Sequence, residues 1–365
     1  MTSTIKPVAL RPSLRRLALA GVAAAALALP ATAGAADVPA TQLSFVGSWS
    51  GLSLHKNFEK PFWGETLSKD SNGAVETQVT TFDQMGLAGA EVYRLLSRGV
   101  FTIGATVADY SIEDAPEIEG LDMPMIAPGV PDARKLVEAY RPVLNEAFGK
   151  RFNAEILAIV PYPSQIVFCN APISGLSDLK GKKVRASGRT TAEFLNALGA
   201  EGITLAFSEV PAALQRKVVD CAVTGSLSGY SSGWHEVSTH LLPMPLGGWD
   251  YVVTAANKDK WAEIDPVAQA FVKRELATKF EAPVWDAAMG ETVEGIACLT
   301  GKGTCGRGPA GKMTLVQVTD ADRELARGIL TDIILPGWAS RVDPEVVTAW
   351  NETAGAASGL TAVAK

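Results

Sequence analysis

The 365-residue chain is short of the side chains that most enzyme centres need. It has three histidines and four cysteines, and neither set is clustered. His235 and His240 stand five apart. On a helix that separates them by about 140° around the axis, so they do not face one metal. Without close-spaced ligands a zinc site of the ordinary kind is excluded. Two stretches have the outline of a serine-nucleophile turn, Gly47-Ser-Trp-Ser-Gly51 and Gly225-Ser-Leu-Ser-Gly229. Their central residues are Trp49 and Leu227, so the nucleophile is missing. Gly175 to Lys183 has the outline of a phosphate loop. It is one residue too long, and Lys183 stands where a magnesium-binding hydroxyl belongs. Positive charge is also in deficit: 33 lysines and arginines against 39 acids give a net charge of −6. Such a chain has no electrostatic footprint for nucleic acid or for an anionic membrane surface. No internal repeat is visible.

What is present begins with a leader. Lys6, Arg11, Arg15 and Arg16 precede an apolar run from Leu17 to Leu29, and Ala31 to Ala36 supplies small residues for cleavage. Residues 1–36 therefore read as an export signal. The run falls short of the roughly 20 apolar residues of a membrane-spanning helix. Arg15-Arg16 fits twin-arginine export, and the generic apolar context fits the general secretory route. Cleavage after residue 36 removes four cations and takes the net charge to −10. An exported protein meets an oxidising compartment. Cys298 and Cys305 are joined by a short segment containing Gly301 and Gly303, which predicts a disulfide loop. Cys169 and Cys221 lie in apolar, strand-like surroundings and read as buried thiols.

The rest alternates between two periods. Strands are predicted over 42–46, 74–80, 101–105, 154–160, 165–169, 204–207, 218–223 and 251–255. Helices are predicted over 54–67, 90–97, 131–148, 189–198 and 210–216. This alternation predicts parallel sheets covered on both faces. Asp265 caps a long helix with Pro266 in its first turn. The helical pattern runs past Pro283 to about Ala297, with a bend expected at the proline. The small, polar stretch 354–365 is expected to fray.

The stretch with the most chemical content is Asp178-Leu-Lys-Gly-Lys-Lys-Val-Arg185, followed by Phe207-Ser-Glu-Val-Pro-Ala-Ala-Leu-Gln215 and Val218-Val-Asp220. Arg185 ends a short strand just after a Gly-Lys turn, and a helix and a second strand follow. A cation fixed at the mouth of a strand–helix–strand unit is a place to hold a carboxylate. These runs resemble the solute-binding proteins of tripartite ATP-independent periplasmic (TRAP) transporters, of the DctP-like kind. The resemblance extends from about Leu43 to about Val342. It implies an α/β, two-lobed periplasmic binding protein of type II, with a hinge and a long helix spanning both lobes. On that basis lobe I takes in 37–162 and 251–290, and lobe II takes in 163–250 and 291–365.

The resemblance further implies that Arg185 pairs with the carboxylate of a bound organic acid, and that Phe207 flanks it. Gln165 stands where some members carry a second cation, and Thr224 where members often have asparagine. Thr106 and Asp109 occupy positions that can carry charge, and Trp49 a position often held by a small residue. Phe82-Asp-Gln-Met-Gly86 resembles the family's turn and reads as structural. Trp49, Tyr110 and Trp249 are aromatic candidates for covering an apolar ligand body. One visible cation predicts a monocarboxylate with an apolar or aromatic body, since a second buried carboxylate would be unpaired. The implied partners are a small organic acid and TRAP permease membrane subunits, in the periplasm, with no cofactor, no nucleic acid and no catalysis. The alternatives are an exported hydrolase or lyase using Asp109, Asp220 or Glu209 as base, and a binding protein that docks on a sensor kinase.

Overall fold

The computed structural model describes residues 38–364. The leader lies outside these residues. The chain lays down β1 (Thr41–Gly47), β2 (Val75–Thr81), β3 (Ile103–Val107) and β4 (Ala154–Val160) in a first sheet. It then builds β5 (Gln165–Cys169), β6 (Lys183–Ala186), β7 (Glu201–Thr204), β8 (Cys221–Gly225) and β9 (His240–Leu242) in a second. Next β10 (Val252–Asn257) returns to the first sheet, and β11 (Thr314–Leu315) closes an edge of the second. The sheet orders are β2-β1-β3-β10-β4 and β11-β9-β5-β8-β6-β7. Two sheets with helices around them make a two-lobed α/β fold.

The sheets are mixed rather than parallel throughout. Two of the strands that arrive from the other half, β10 and β5, are antiparallel to their neighbours, while β11 joins β9 in parallel. In the first sheet β10 runs against β3 and β4, and in the second β5 runs against β8 and β9. The chain crosses between the sheets three times, and at the first two crossings it enters the new sheet from the opposite end. Local hydrophobic patterning carries no record of that direction. The strand expected over 204–207 ends at Thr204, and Phe207 begins a 3-10 turn instead. That strand packs closely on the helix before it: a Cβ at Gly202 would lie 2.5 Å from the Ala192 carbonyl oxygen.

Helical residues run without a break from Pro266 to Thr300. Asp265 caps the start by accepting from Val267 N. The bend expected at Pro283 takes the form of a π turn at Ala277–Glu281, just before the proline. The widened turn gives room to the ring, whose missing N–H breaks the regular ladder. The same pairing recurs at Leu330–Ile334 before Pro336. The long helix packs on both halves. Trp285 Nε1 donates to the Ile159 carbonyl of β4, while the Thr292 carbonyl accepts from Ser226 Oγ, just past β8. Gly295 permits that second contact, since a Cβ there would sit 2.4 Å from Leu227 N.

Both disulfides belong to the second half. Cys298–Cys305 is formed as expected. Cys169 and Cys221 are also joined, which corrects their reading as free thiols. They are register partners in the antiparallel β5–β8 pair, with Cα atoms 4.0 Å apart. A cross-strand pair at that spacing brings the sulfurs together.

The terminal stretch is held rather than frayed. Asn351 brackets Ala362, donating to its carbonyl and accepting from its amide. The preceding helices touch both halves. Trp338 Nε1 and Trp350 Nε1 donate to the Pro116 and Gly120 carbonyls. Asp322 accepts from Leu176 N.

Candidate functional site

Arg185 sits in β6 between β7 and β8, and its anchors come from the residue just past β7 and from within β8. Nε donates to the Leu205 carbonyl at 2.9 Å, and Nη1 to the Val223 carbonyl at 2.7 Å. The guanidinium lies 6.0 Å from the centre of the Trp234 ring. The residue is only 1% exposed. Among the described residues Arg185 makes no ion pair, and its Nη2 has no hydrogen-bond partner. Burial pulls its pKa below the ordinary value, and Tyr110, Asp250 and Asp109 oppose that pull. A guanidinium keeps its charge regardless. Two backbone carbonyls thus fix the orientation of a buried charge without neutralising it.

Tyr110 and Asp250, whose charges act on this group, line a small cavity of about 10 Å³ together with Trp49, Gln165, Phe207 and Thr224, among others; Arg185 itself is not part of its lining. Five of the eight ligand-binding residues predicted from sequence therefore meet there. Trp49 follows β1 and Tyr110 follows β3, both from the first sheet. Gln165 opens β5, Thr224 is in β8 and Phe207 follows β7, all from the second. The cavity is at the carboxyl ends of parallel strands, where sheets of this kind present ligands. The aromatic wall crosses between the halves. Trp49 lies 5.5 Å from Phe207, which stacks on Trp234 at 5.4 Å. Trp49 Nε1 donates to Tyr110 Oη at 3.2 Å. Burial pushes the Tyr110 phenol up to about 12, so it stays protonated.

Trp49, Tyr110 and Phe207 also line a larger outer cleft of about 630 Å³. Its walls include Phe82, Leu87, Ile112 and Ala192, with Asp109 and Arg189 among the charged groups. Arg189 differs from Arg185. It pairs with Glu113, and its Nη1 is 3.5 Å from Glu119, which Arg341 also holds at 2.9 Å.

Arg185, Thr106 and Trp249 line neither cavity. Thr106 is fully buried behind Tyr110, and Trp249 donates its indole N–H to the Ala127 carbonyl. Asp250, next to Trp249, is a lining residue that sequence reasoning missed. It adopts φ of 42°, a left-handed conformation rare outside glycine. Asp122 holds that turn by accepting from the Trp249 and Asp250 amides, the latter at 2.7 Å. The pair Gly247-Gly248 just before it was the available signal. Gly188 was missed as well. A Cβ there would lie 1.5 Å from Asp109 Oδ2, so only glycine lets the two halves meet at this point. Among the described residues no group of His, Cys, Asp and Glu is arranged to hold a metal. No helix among them is long and apolar enough to cross a membrane.

Comparison with known proteins places this arrangement. The family described as bacterial extracellular solute-binding protein, family 7, matches residues 50–290. The C4-dicarboxylate-binding periplasmic protein DctP of Rhodobacter capsulatus is 28% identical over 200 residues, covering 54% of this chain and 59% of that protein. Among solved structures, Bordetella pertussis DctP7, a receptor binding pyroglutamic acid, matches with a TM-score of 0.72 at 22% identity. That match covers 86% of this chain and 100% of the other. A TRAP periplasmic solute-binding protein from Desulfovibrio salexigens with bound orotic acid matches with a TM-score of 0.76 at 18% identity. It covers 87% of this chain and 99% of the other.

Proposed function

The chain belongs to family 7 of the bacterial extracellular solute-binding proteins, and from that premise we propose that it captures an organic acid in the periplasm. It delivers the acid, chemically unchanged, to a TRAP-type membrane permease. The observation that carries this reading is Arg185: a guanidinium 1% exposed, oriented by two carbonyls and without a carboxylate partner among the described residues. Burying an unpaired charge is expensive, and a ligand carboxylate at Nη2 removes that cost. The aromatic wall of Trp49 and Phe207 supplies a flat apolar cover. Because that wall joins the two halves, they must part at the hinge to admit a ligand and close over it.

The ligand expected is a monocarboxylate with an apolar or aromatic body. The curated relative carries C4-dicarboxylate in its name, and two solved relatives hold the ring acids pyroglutamate and orotate. A dicarboxylate here would need a second cation. Gln165 is neutral, and Arg189 in the outer cleft is already paired with Glu113 and Glu119. The ring acids are the better guide.

The test is a thermal-shift screen followed by calorimetry. It spans benzoate-like acids, branched hydroxy acids, C4 dicarboxylates and uronates, and the ligand is then recovered for analysis. The expected result is tight binding of a monocarboxylate, recovered intact. Binding of succinate or a uronate alone overturns the ligand class. A chemically altered ligand overturns the transport role in favour of an exported hydrolase or lyase.

A further inference from the structure

Arg185 is coupled by charge to Tyr110 and Asp250, which line the inner cavity, and beside the hydroxyl groups of Tyr110, Tyr162, Thr224 and Ser228 that lining offers two further acceptors. Asp250 lines the cavity and is 8% exposed. Its Oδ1 accepts from Ser187 Oγ at 3.1 Å. Among the described residues its Oδ2 has no hydrogen-bond partner, and no cation forms an ion pair with it. Gln165 is the second acceptor. Its Nε2 donates to the Pro163 carbonyl at 2.7 Å. A carbonyl can only accept, so this bond fixes the way the amide faces and leaves Oε1 as the uncommitted atom. At the edge of the outer cleft, Asp109 is 9% exposed, and its Oδ1 is buried without a partner.

These acids are not equivalent. Asp122, close by, is satisfied by the Trp249 and Asp250 amides. Asp109 is pushed well above the usual carboxylate range by burial, and then by Asp250 and Glu119, which favours its neutral form. Asp250 is raised by burial to about 6, with Arg185 and Ser187 acting the other way, so it is charged at neutral pH. A buried carboxylate therefore lines the inner cavity, a buried guanidinium outside that lining is coupled to it by charge, and neither is ion-paired among the described residues. A plain carboxylate would answer Arg185 and leave Asp250 and Gln165 Oε1 facing an apolar body, which is costly for a buried charge.

We propose that the physiological ligand is an amino carboxylate with an apolar body. Its carboxylate meets Arg185, its ammonium meets Asp250 and Gln165 Oε1, and its body lies toward Leu87, Ile112 and Phe207. This inference rests on the organic-acid reading above and narrows it. A zwitterion matches the two charges one for one. A simple apolar α-amino acid is the smallest molecule that does so.

The test is calorimetry at neutral pH with matched pairs: phenylalanine against phenylpropanoate, and leucine against isocaproate. Wild-type protein is expected to bind the amino acid at least about tenfold tighter, the gain of one buried charge-assisted hydrogen bond. Asp250→Asn should erase that gap. Asparagine tolerates the left-handed backbone at this position, so the variant is expected to fold, with a thermal melt as the check. Gln165→Met, which removes the Oε1 acceptor together with the Nε2 bond to the Pro163 carbonyl, should narrow the gap severalfold. Equal or tighter binding of the plain acids by wild-type protein, unchanged in Asp250→Asn, overturns the amino-carboxylate inference and leaves the organic-acid reading standing. Failure of both amino acids to bind also overturns the inference, and the acid screen then decides the broader reading independently.

Discussion

Two arginines four residues apart on either side of one turn have opposite surroundings. Arg185, buried in β6, is held by the carbonyls of Leu205 and Val223 and has no carboxylate partner among the described residues. Arg189, at the mouth, is paired with Glu113 and stands 3.5 Å from Glu119. Backbone carbonyls orient a guanidinium without discharging it, whereas carboxylates discharge it. The buried arginine therefore keeps an unpaired charge, which the proposed function assigns to a ligand, and the outer one ties together Glu113 and Glu119 of the first half and helix Arg189–Ala197 of the second. Removing each should affect different properties.

The largest effect is expected at Arg185. Arg185→Ala should weaken organic-acid binding by roughly 2–5 kcal/mol, the cost of truncating one partner of a buried charge pair. Arg185→Lys should also bind poorly, because a point charge does not reproduce the fork. Calorimetry showing either variant within about threefold of wild type (under roughly 1 kcal/mol) would erase the contrast between the two arginines.

Next in size is a pH effect from the carboxylate beside Arg185. The folded-state pKa of Asp250 is raised by burial to about 6 from an ordinary 3.8. A raised value means the folded state holds the proton more tightly. Its contribution to stability is thus complete below about pH 4 and is lost as pH rises through about 6. The difference is roughly 2–3 kcal/mol. Urea melts across that window should show Asp250→Asn flattening the profile. A variant profile parallel to wild type would show that Asp250 is not a buried charge.

Gly188→Ala places a methyl where Asp109 Oδ2 now lies. It should cost about 1–3 kcal/mol in stability, the usual range for overpacking. Melts that match wild type would mean the halves do not meet as described. The smallest effect belongs to Arg189→Ala. Partly exposed ion pairs of this kind contribute about 0–1 kcal/mol, so melting and ligand affinity should both change little. A large loss of affinity in this variant would transfer the ligand-holding role to the mouth.

The legible parts of the site are those encoded locally. Asp178 to Arg185 places a turn, a strand and its terminal arginine within eight residues, so the sequence alone locates the cation. Gln165, Phe207 and Thr224 were reachable through the family resemblance, and Trp49 and Tyr110 as aromatic residues near the same mouth. Asp250 was hidden because its role depends on a left-handed turn held by Asp122, a partner far away in sequence. The Cys169–Cys221 bridge was hidden for a similar reason. Its members are 52 residues apart, and only the antiparallel register of β5 and β8 sets them face to face. Trp249 was legible as an aromatic near the crossover but not as a buried one, since its anchor is the Ala127 carbonyl. Strand direction was lost to the same cause: hydrophobic alternation reports faces and lengths, while the crossings between sheets set orientation.

The central claim is most directly tested by a crystal structure of the protein with the tightest-binding monocarboxylate from the screen. The account predicts a carboxylate oxygen about 2.7–2.9 Å from Arg185 Nη2, the reach of a charge-assisted hydrogen bond, with the Leu205 and Val223 carbonyls still holding the guanidinium. A carboxylate seated on Arg189 at the mouth, with Arg185 Nη2 unbonded, would contradict it.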